Sequence, residues 1–149
     1  MHRRALLPLV LAAFLGLTAC APASEVDAHL LSEQAEDYVV RSGPGSLGSG
    51  TFFLSSQNTD GGSVTLGEMR AGVTAVRAIC FGEGKASVSF ELRGADSTIA
   101  NTFDVTCDSA EHDSVFGESL RGVTKAELSS TWVSGFDQAV VVSVVSDAN

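Results

Sequence analysis

The sequence predicts an all-β domain, an antiparallel β-sandwich of jelly-roll or Ig-like type with about seven to eight short strands and one disulfide. Three observations carry this. Residues 85–93 alternate without a fault, with Ala86, Val88, Phe90 and Leu92 on one side and Ser87, Ser89 and Glu91 on the other, the pattern of a strand with one buried face. Strand-like segments recur at a spacing of about ten residues with Gly-rich stretches between them. Cys80 and Cys107 both take the inward parity of such segments, where a bridge between strands or sheets forms.

At 149 residues the chain is long enough for one domain with a real core and too short for two. Its N-terminus precedes that domain. Arg3 and Arg4 form a positive n-region, residues 5–17 an apolar h-region, and Leu17-Thr18-Ala19-Cys20 closes it with small residues, so residues 1–19 read as a signal peptide. The competing reading is an uncleaved membrane anchor. Its strongly apolar part falls short of the roughly 20 residues a bilayer span needs.

Leu17-Thr18-Ala19-Cys20 resembles the lipobox of bacterial lipoproteins. That resemblance implies a diacylglyceryl group on Cys20, cleavage in front of it, and attachment to the extracytoplasmic face of the cell membrane. Palmitate-type chains in such a number hold a protein stably, where one acyl chain would not.

Beyond Cys20, residues 20–50 read as a lipidated cysteine followed by a tether. Leu31, Ala35, Tyr38 and Val39 fall near one helical face, with Ser24 and Asp27 as cap candidates, so a marginal helix and a loose acidic tether both fit. Residues 41–50 are rich in Gly and Ser and read as a flexible linker, which puts the sandwich domain at residues 51–149.

Within the domain, strands are expected at residues 51–55 and 63–68 with Asp60-Gly61-Gly62 as the turn between them, then at 73–81 and 85–93 with Gly82-Glu83-Gly84 as a hairpin loop. Further strands are expected at 102–108 and 115–120. A last pair, 123–133 and 138–146, is joined by a turn at 134–137. Residues 139–145 are apolar on both faces, which predicts a strand buried on both sides with the N-terminal segment lying across it. No internal repeat stands out.

With Cys20 lipidated, Cys80 and Cys107 remain as an even pair in an exported, oxidising setting, and a bridge is expected. Closing about 28 residues, it would contribute about 3–4 kcal/mol. A redox or zinc pair lacks the C-x-x-C spacing.

The stretch Leu66-Gly67-Glu68-Met69-Arg70-Ala71-Gly72-Val73, followed by Ile79-Cys80-Phe81-Gly82-Glu83-Gly84, is similar to the layout of small uncharacterised secreted β-sandwich lipoproteins of high-GC Gram-positive bacteria. The similarity covers residues 63–108 with loose motifs. It implies a fold and an address, and it assigns no functional residue.

Charge excludes some functions. Removing residues 1–19 leaves seven basic against 18 acidic residues, a net charge of −11, which repels the phosphate backbone and argues against nucleic-acid partners. No nucleophile elbow, Walker motif, dinucleotide fingerprint or H-E-x-x-H is present, so neither an enzyme nor a cofactor is expected.

Two weak sites are legible. Asp108, Glu111 and Asp113 beside His112 could give oxygen ligands to Ca²⁺, although the spacing lacks the EF-hand glycine and a solvated acidic turn is the blander reading. Trp132, Phe136 and Tyr38 are the candidates for an aromatic sugar-stacking platform; Trp132 shares parity with Ala126 and Leu128 and so fits the core better, which leaves Phe136, in its expected turn, as the stronger of them. The expectation is a non-catalytic binding or structural module at the envelope, contacting an envelope protein or cell-wall glycan through loops at 94–98, 108–114 and 134–137. The alternative is a solute- or glycan-binding lipoprotein.

Overall fold

A computed structural model describes residues 25–43 and 45–146. Cys20 and residues 1–19, the expected signal peptide, lie outside the described residues. The first element is a helix, α1 (Glu25–Arg41), so the acidic segment is not a loose tether. Leu31 and Ala35, one turn apart, are buried on the sheet and Tyr38 packs beside them, while Val39 turns to solvent. Arg41 closes the last turn, its guanidinium 3.0 Å from Asp37 one turn earlier, where a cation suits the helix dipole.

Six strands follow among the described residues: β1 (Ser46–Leu54), β2 (Asp60–Leu66), β3 (Val73–Gly94), β4 (Thr98–Thr106), β5 (Glu111–Leu120) and β6 (Val123–Val145), all paired antiparallel. The expected hairpins at 82–84 and 134–137 are absent. β3 and β6 are single strands of 22 and 23 residues that run side by side and bend together where Gly84 pairs with Gly135. Both glycines have positive φ, and a Cβ on either would strike a carbonyl oxygen of the opposite strand. Glycine here makes a bulge that redirects a strand, a use it shares with tight turns and one that composition alone does not separate from them.

Because β3 and β6 cross from one layer to the other, six strands make two four-stranded layers. One holds β1, β6 residues 138–145, β3 residues 73–82 and β5; the other holds β2, β6 residues 123–134, β3 residues 85–94 and β4. Counted as eight segments in chain order the layers read 1-8-3-6 and 2-7-4-5, the order of a jelly roll. We call them the covered layer, on which α1 lies, and the open layer.

Exchanging the two halves of the chain, β1–β3 for β4–β6, leaves this pairing unchanged. The sequence carries the same relation, contrary to the expectation of no repeat. Gly67-Glu68 and Gly72-Val73-Thr74 recur fifty positions later as Gly117-Glu118 and Gly122-Val123-Thr124, and Thr51-Phe52 and Ser63-Val64 recur at fifty-one as Thr102-Phe103 and Ser114-Val115. The repeat is short and interrupted by one-residue shifts, so it surfaces only once the strands are superposed by role.

The second half of the expected Gly/Ser linker, residues 46–50, is instead the first half of β1, and only a short turn separates it from α1. Gly48 and Gly50 let β1 close onto β2: a Cβ on Gly48 would lie 2.9 Å from Leu66, and one on Gly50 3.1 Å from Val64. The folded domain therefore includes α1 and starts well before residue 51. The core between the layers holds Val76, Ala78, Cys80, Ala86, Val88, Phe90, Leu92, Val105, Leu128, Val140 and Val142. The Cys80–Cys107 disulfide is formed and buried. It joins β3 in the covered layer to the chain just past β4 in the open layer, and so pins the β4–β5 crossover.

Candidate functional site

The acidic segment after Cys107 does not assemble as a cation site. It is a strand from Glu111 onward, so Glu111 and Asp113 point to the outer face of the covered layer while His112 points to the other side. Arg77, on the neighbouring strand, takes Asp113 through two hydrogen bonds of 2.8 Å and lies 3.0 Å from Glu111. Asp108 stays behind in the crossover, where the Ala110 amide donates to it at 3.0 Å and holds its carboxyl below the usual range, with His112 Nε2 3.6 Å away. Among the described residues no three such side chains gather around a common point. Period-two alternation separates what adjacency in sequence suggested.

What the segment builds is a latch for the helix. Tyr38 of α1 donates its phenol proton to Glu111 at 2.8 Å. Burial first, then the carboxylate, pushes the Tyr38 pKa up to about 12. Asp113 likewise raises the pKa of Arg77. The sequence places Tyr38 on the apolar helical face and gives Arg77 outward parity, but it holds no sign that the two meet through a Glu-x-Asp strand.

The aromatic platform does not form either. Trp132 is half-buried against the core, opposite Ala86, whereas Phe136 stands 73 % exposed at the bend of β6 rather than in a hairpin turn. Of the expected contact loops, 94–98 is the turn between β3 and β4, whereas 134–137 is bent strand and most of 108–114 is β5.

The surface that is organised is the outer face of the open layer. Cross-strand pairing sets Ser63, Ser129, Ser89 and Thr102 in one row, with Thr131, Ser87 and Asp104 in the next. The Ser89 and Thr102 hydroxyls hydrogen-bond at 2.8 Å. On the other side Glu91 pairs with Glu127, and Arg93 with Lys125. Each acid is matched along its own strand, Glu127 to Lys125 at 3.0 Å and Glu91 to Arg93. Lys125 holds the Glu127 carboxyl below its usual range, and Glu91 raises the Arg93 pKa. Charge is thus compensated within the face, which is left to act through hydroxyl donors and acceptors. A shallow depression of about 400 Å³ lies among Ser89, Glu91, Thr102, Glu127 and Ser129.

A second groove, of about 920 Å³, runs along α1 where Leu30, Gln34 and Tyr38 face Ile79, Phe81 and Ser109. It belongs to the seam between helix and sheet. No helix among the described residues is long and apolar enough to cross a membrane. Comparison with models of protein families, with curated proteins and with solved structures gives no match.

Proposed function

We propose that this chain is an envelope lipoprotein, anchored through lipid on Cys20 at the extracytoplasmic face of the membrane, whose jelly roll is a non-catalytic contact module. The observation that carries the reading is the open layer's outer face: a broad hydroxyl surface with internally balanced charge and a shallow depression. Such a surface suits a polar macromolecular contact, an envelope protein or cell-wall glycan, formed through many hydrogen bonds.

The position of α1 adds to this. The helix starts five residues after Cys20 and is packed on the domain, so a lipid there would hold the module by at most about 18 Å of extended chain. The contact would be made close to the membrane surface.

Two measurements test the proposal. Labelled palmitate should enter the full-length protein and fail to enter Cys20→Ser, which should leave the membrane fraction; equal membrane retention by the variant would overturn the anchor. A photo-crosslinking residue at Ser89 or Ser129 should capture an envelope component in cells, while one at exposed Val40 on α1 should not. Capture from position 40 alone would overturn the open face as the contact.

A further inference from the structure

Four strands form the edges of the two layers, and three are blunted. β1 breaks register between Ser46 and Gly48, and its edge carbonyl at Phe53 is taken by the Asn58 side chain at 2.9 Å. β2 breaks register between Asp60 and Ser63. β5 breaks it between the partners of Val73 and Ala75 and carries Glu111, Asp113 and Glu118. Bulges and charges of this kind are how edges are kept from pairing with other chains.

β4 has neither. It pairs with β3 over nine residues, from Arg93↔Thr98 to Lys85↔Thr106, in unbroken register. Among the described residues no other strand pairs with it. Its sequence, Thr98-Ile99-Ala100-Asn101-Thr102-Phe103-Asp104-Val105-Thr106, is rich in β-branched residues, has no proline or lysine and holds one charge. Beside it the core is less fully closed: Asn101 and Ile99 occupy the positions that Gly50 and Gly48 hold on the opposite side, Asn101 is exposed, and Phe103 and Phe116, packed against the buried Phe90, are only partly buried.

We infer that β4 is a strand-addition site whose occupant is β4 of a second copy, paired antiparallel about a two-fold axis at Thr102. The strand is complementary to itself in that register. Thr102 meets Thr102 of the other copy, Thr98 meets Thr106 and Ala100 meets Asp104 on the outer face; Ile99 meets Val105 and Asn101 meets Phe103 on the inner face. The one charge thus faces alanine, not its own copy, and the open layers join into one eight-stranded sheet. A two-fold isologous contact is the common form of such assemblies. The inference does not depend on the lipid anchor.

The test uses the chain from residue 20 onward with Cys20→Ser, which keeps every described element. Sedimentation equilibrium should show a concentration-dependent dimer. Thr102→Lys opposes two like charges across the axis and should raise the dimer dissociation constant by about tenfold or more, with a melt only slightly lowered at concentrations where the chain is monomeric, since the exposed Thr102 gives up one hydrogen bond to Ser89, while Thr102→Ala should keep the dimer. Thr102→Cys should cross-link copies under mild oxidation, and Ala100→Cys should not. A monomer at every concentration would overturn self-pairing and leave the edge to an extended segment of another protein. A dimer untouched by Thr102→Lys would overturn β4 as its interface.

Discussion

The outer faces of the two layers are built from equivalent positions and meet opposite fates. In the covered layer Ile79 pairs with Val141 and Phe81 with Ala139, and these four lie under α1. The positions that correspond to them in the open layer are Ser129 with Ser89 and Thr131 with Ser87; no helix covers them, Thr131 is exposed and the three serines are partly exposed. Even Arg77, the centre of the helix latch, corresponds to Glu127 fifty positions on. Inner faces on both sides stay apolar, because both layers share one core. The outer faces are free to diverge, and only one half acquired a helix to cover.

The largest test of this inequality lies at the disulfide. Cys80 corresponds to Ser130, whose hydroxyl merely donates to the Ser87 carbonyl at 3.3 Å. Replacing Cys80 and Cys107 together by Ala should cost about 3.5 kcal/mol, on the order of 10 °C in Tm, because the unfolded chain regains a long loop. Ser130→Ala should cost about 1 kcal/mol or less in the same thermal melt. Equal losses would mean that the staple is redundant and the halves are alike in stability.

Next in size is the helix. Leu31 is 7 % exposed and anchors α1 to the covered quartet. Leu31→Ala should cost about 2–3 kcal/mol in denaturant unfolding and raise the binding of a hydrophobic dye as α1 loosens. Ser129→Ala on the open face should change both by next to nothing. If Leu31→Ala were equally silent, the covering of one layer would be incidental to the fold.

A smaller effect separates the two edges. Gly50→Val puts side-chain atoms where Val64 and Phe52 already sit and should cost about 1–3 kcal/mol by overpacking the β1–β2 edge. Asn101→Val at the matching position of β4 should cost less than half of that, since Asn101 is exposed and its side chain makes only a long 3.3 Å bond to Ser114. Chemical denaturation of the two variants side by side reads the difference directly.

How far the sequence led follows from these same residues. Alternation over 73–81, 85–93 and 102–108 marks Val76, Ala78, Cys80, Ala86, Val88, Phe90, Leu92, Phe103, Val105 and Cys107 as inward; all are buried except Phe103, which is half-buried against the core. The double-sided apolarity of 139–145 likewise foretold a strand with the N-terminal segment across it. The glycines misled, because Gly84 and Gly135 mark a bend and Gly48 and Gly50 a close approach, and neither is distinguishable by composition from a turn or a linker. The inward positions of β3 and β6 are even-numbered from 76 to 92 and from 126 to 144, so the alternation passes straight through the bend. The hydroxyl face was half legible: Ser87 and Ser89 were read as outward, but their union with Ser129 and Thr131 depends on a pairing forty residues away in sequence.

The smallest effect concerns the latch that only the covered layer has. Tyr38 titrates near 10 when unfolded and is raised to about 12 in the fold by burial and by Glu111, because ionising it would place a second negative charge beside that carboxylate. A raised folded pKa means stability fully present below pH 10 and lost as pH climbs through about 12. Tyr38→Phe removes the hydrogen bond and should cost about 1 kcal/mol at pH 8, moderated by the partial exposure of the pair. It should also remove this part of the alkaline loss, so that wild type and variant converge in stability as pH rises from 10 to 12. Urea unfolding at a series of pH values checks it: a gap that stays constant across that window would show that Tyr38 holds α1 by packing on Phe81 alone. The polar latch would then be dispensable to the covered face.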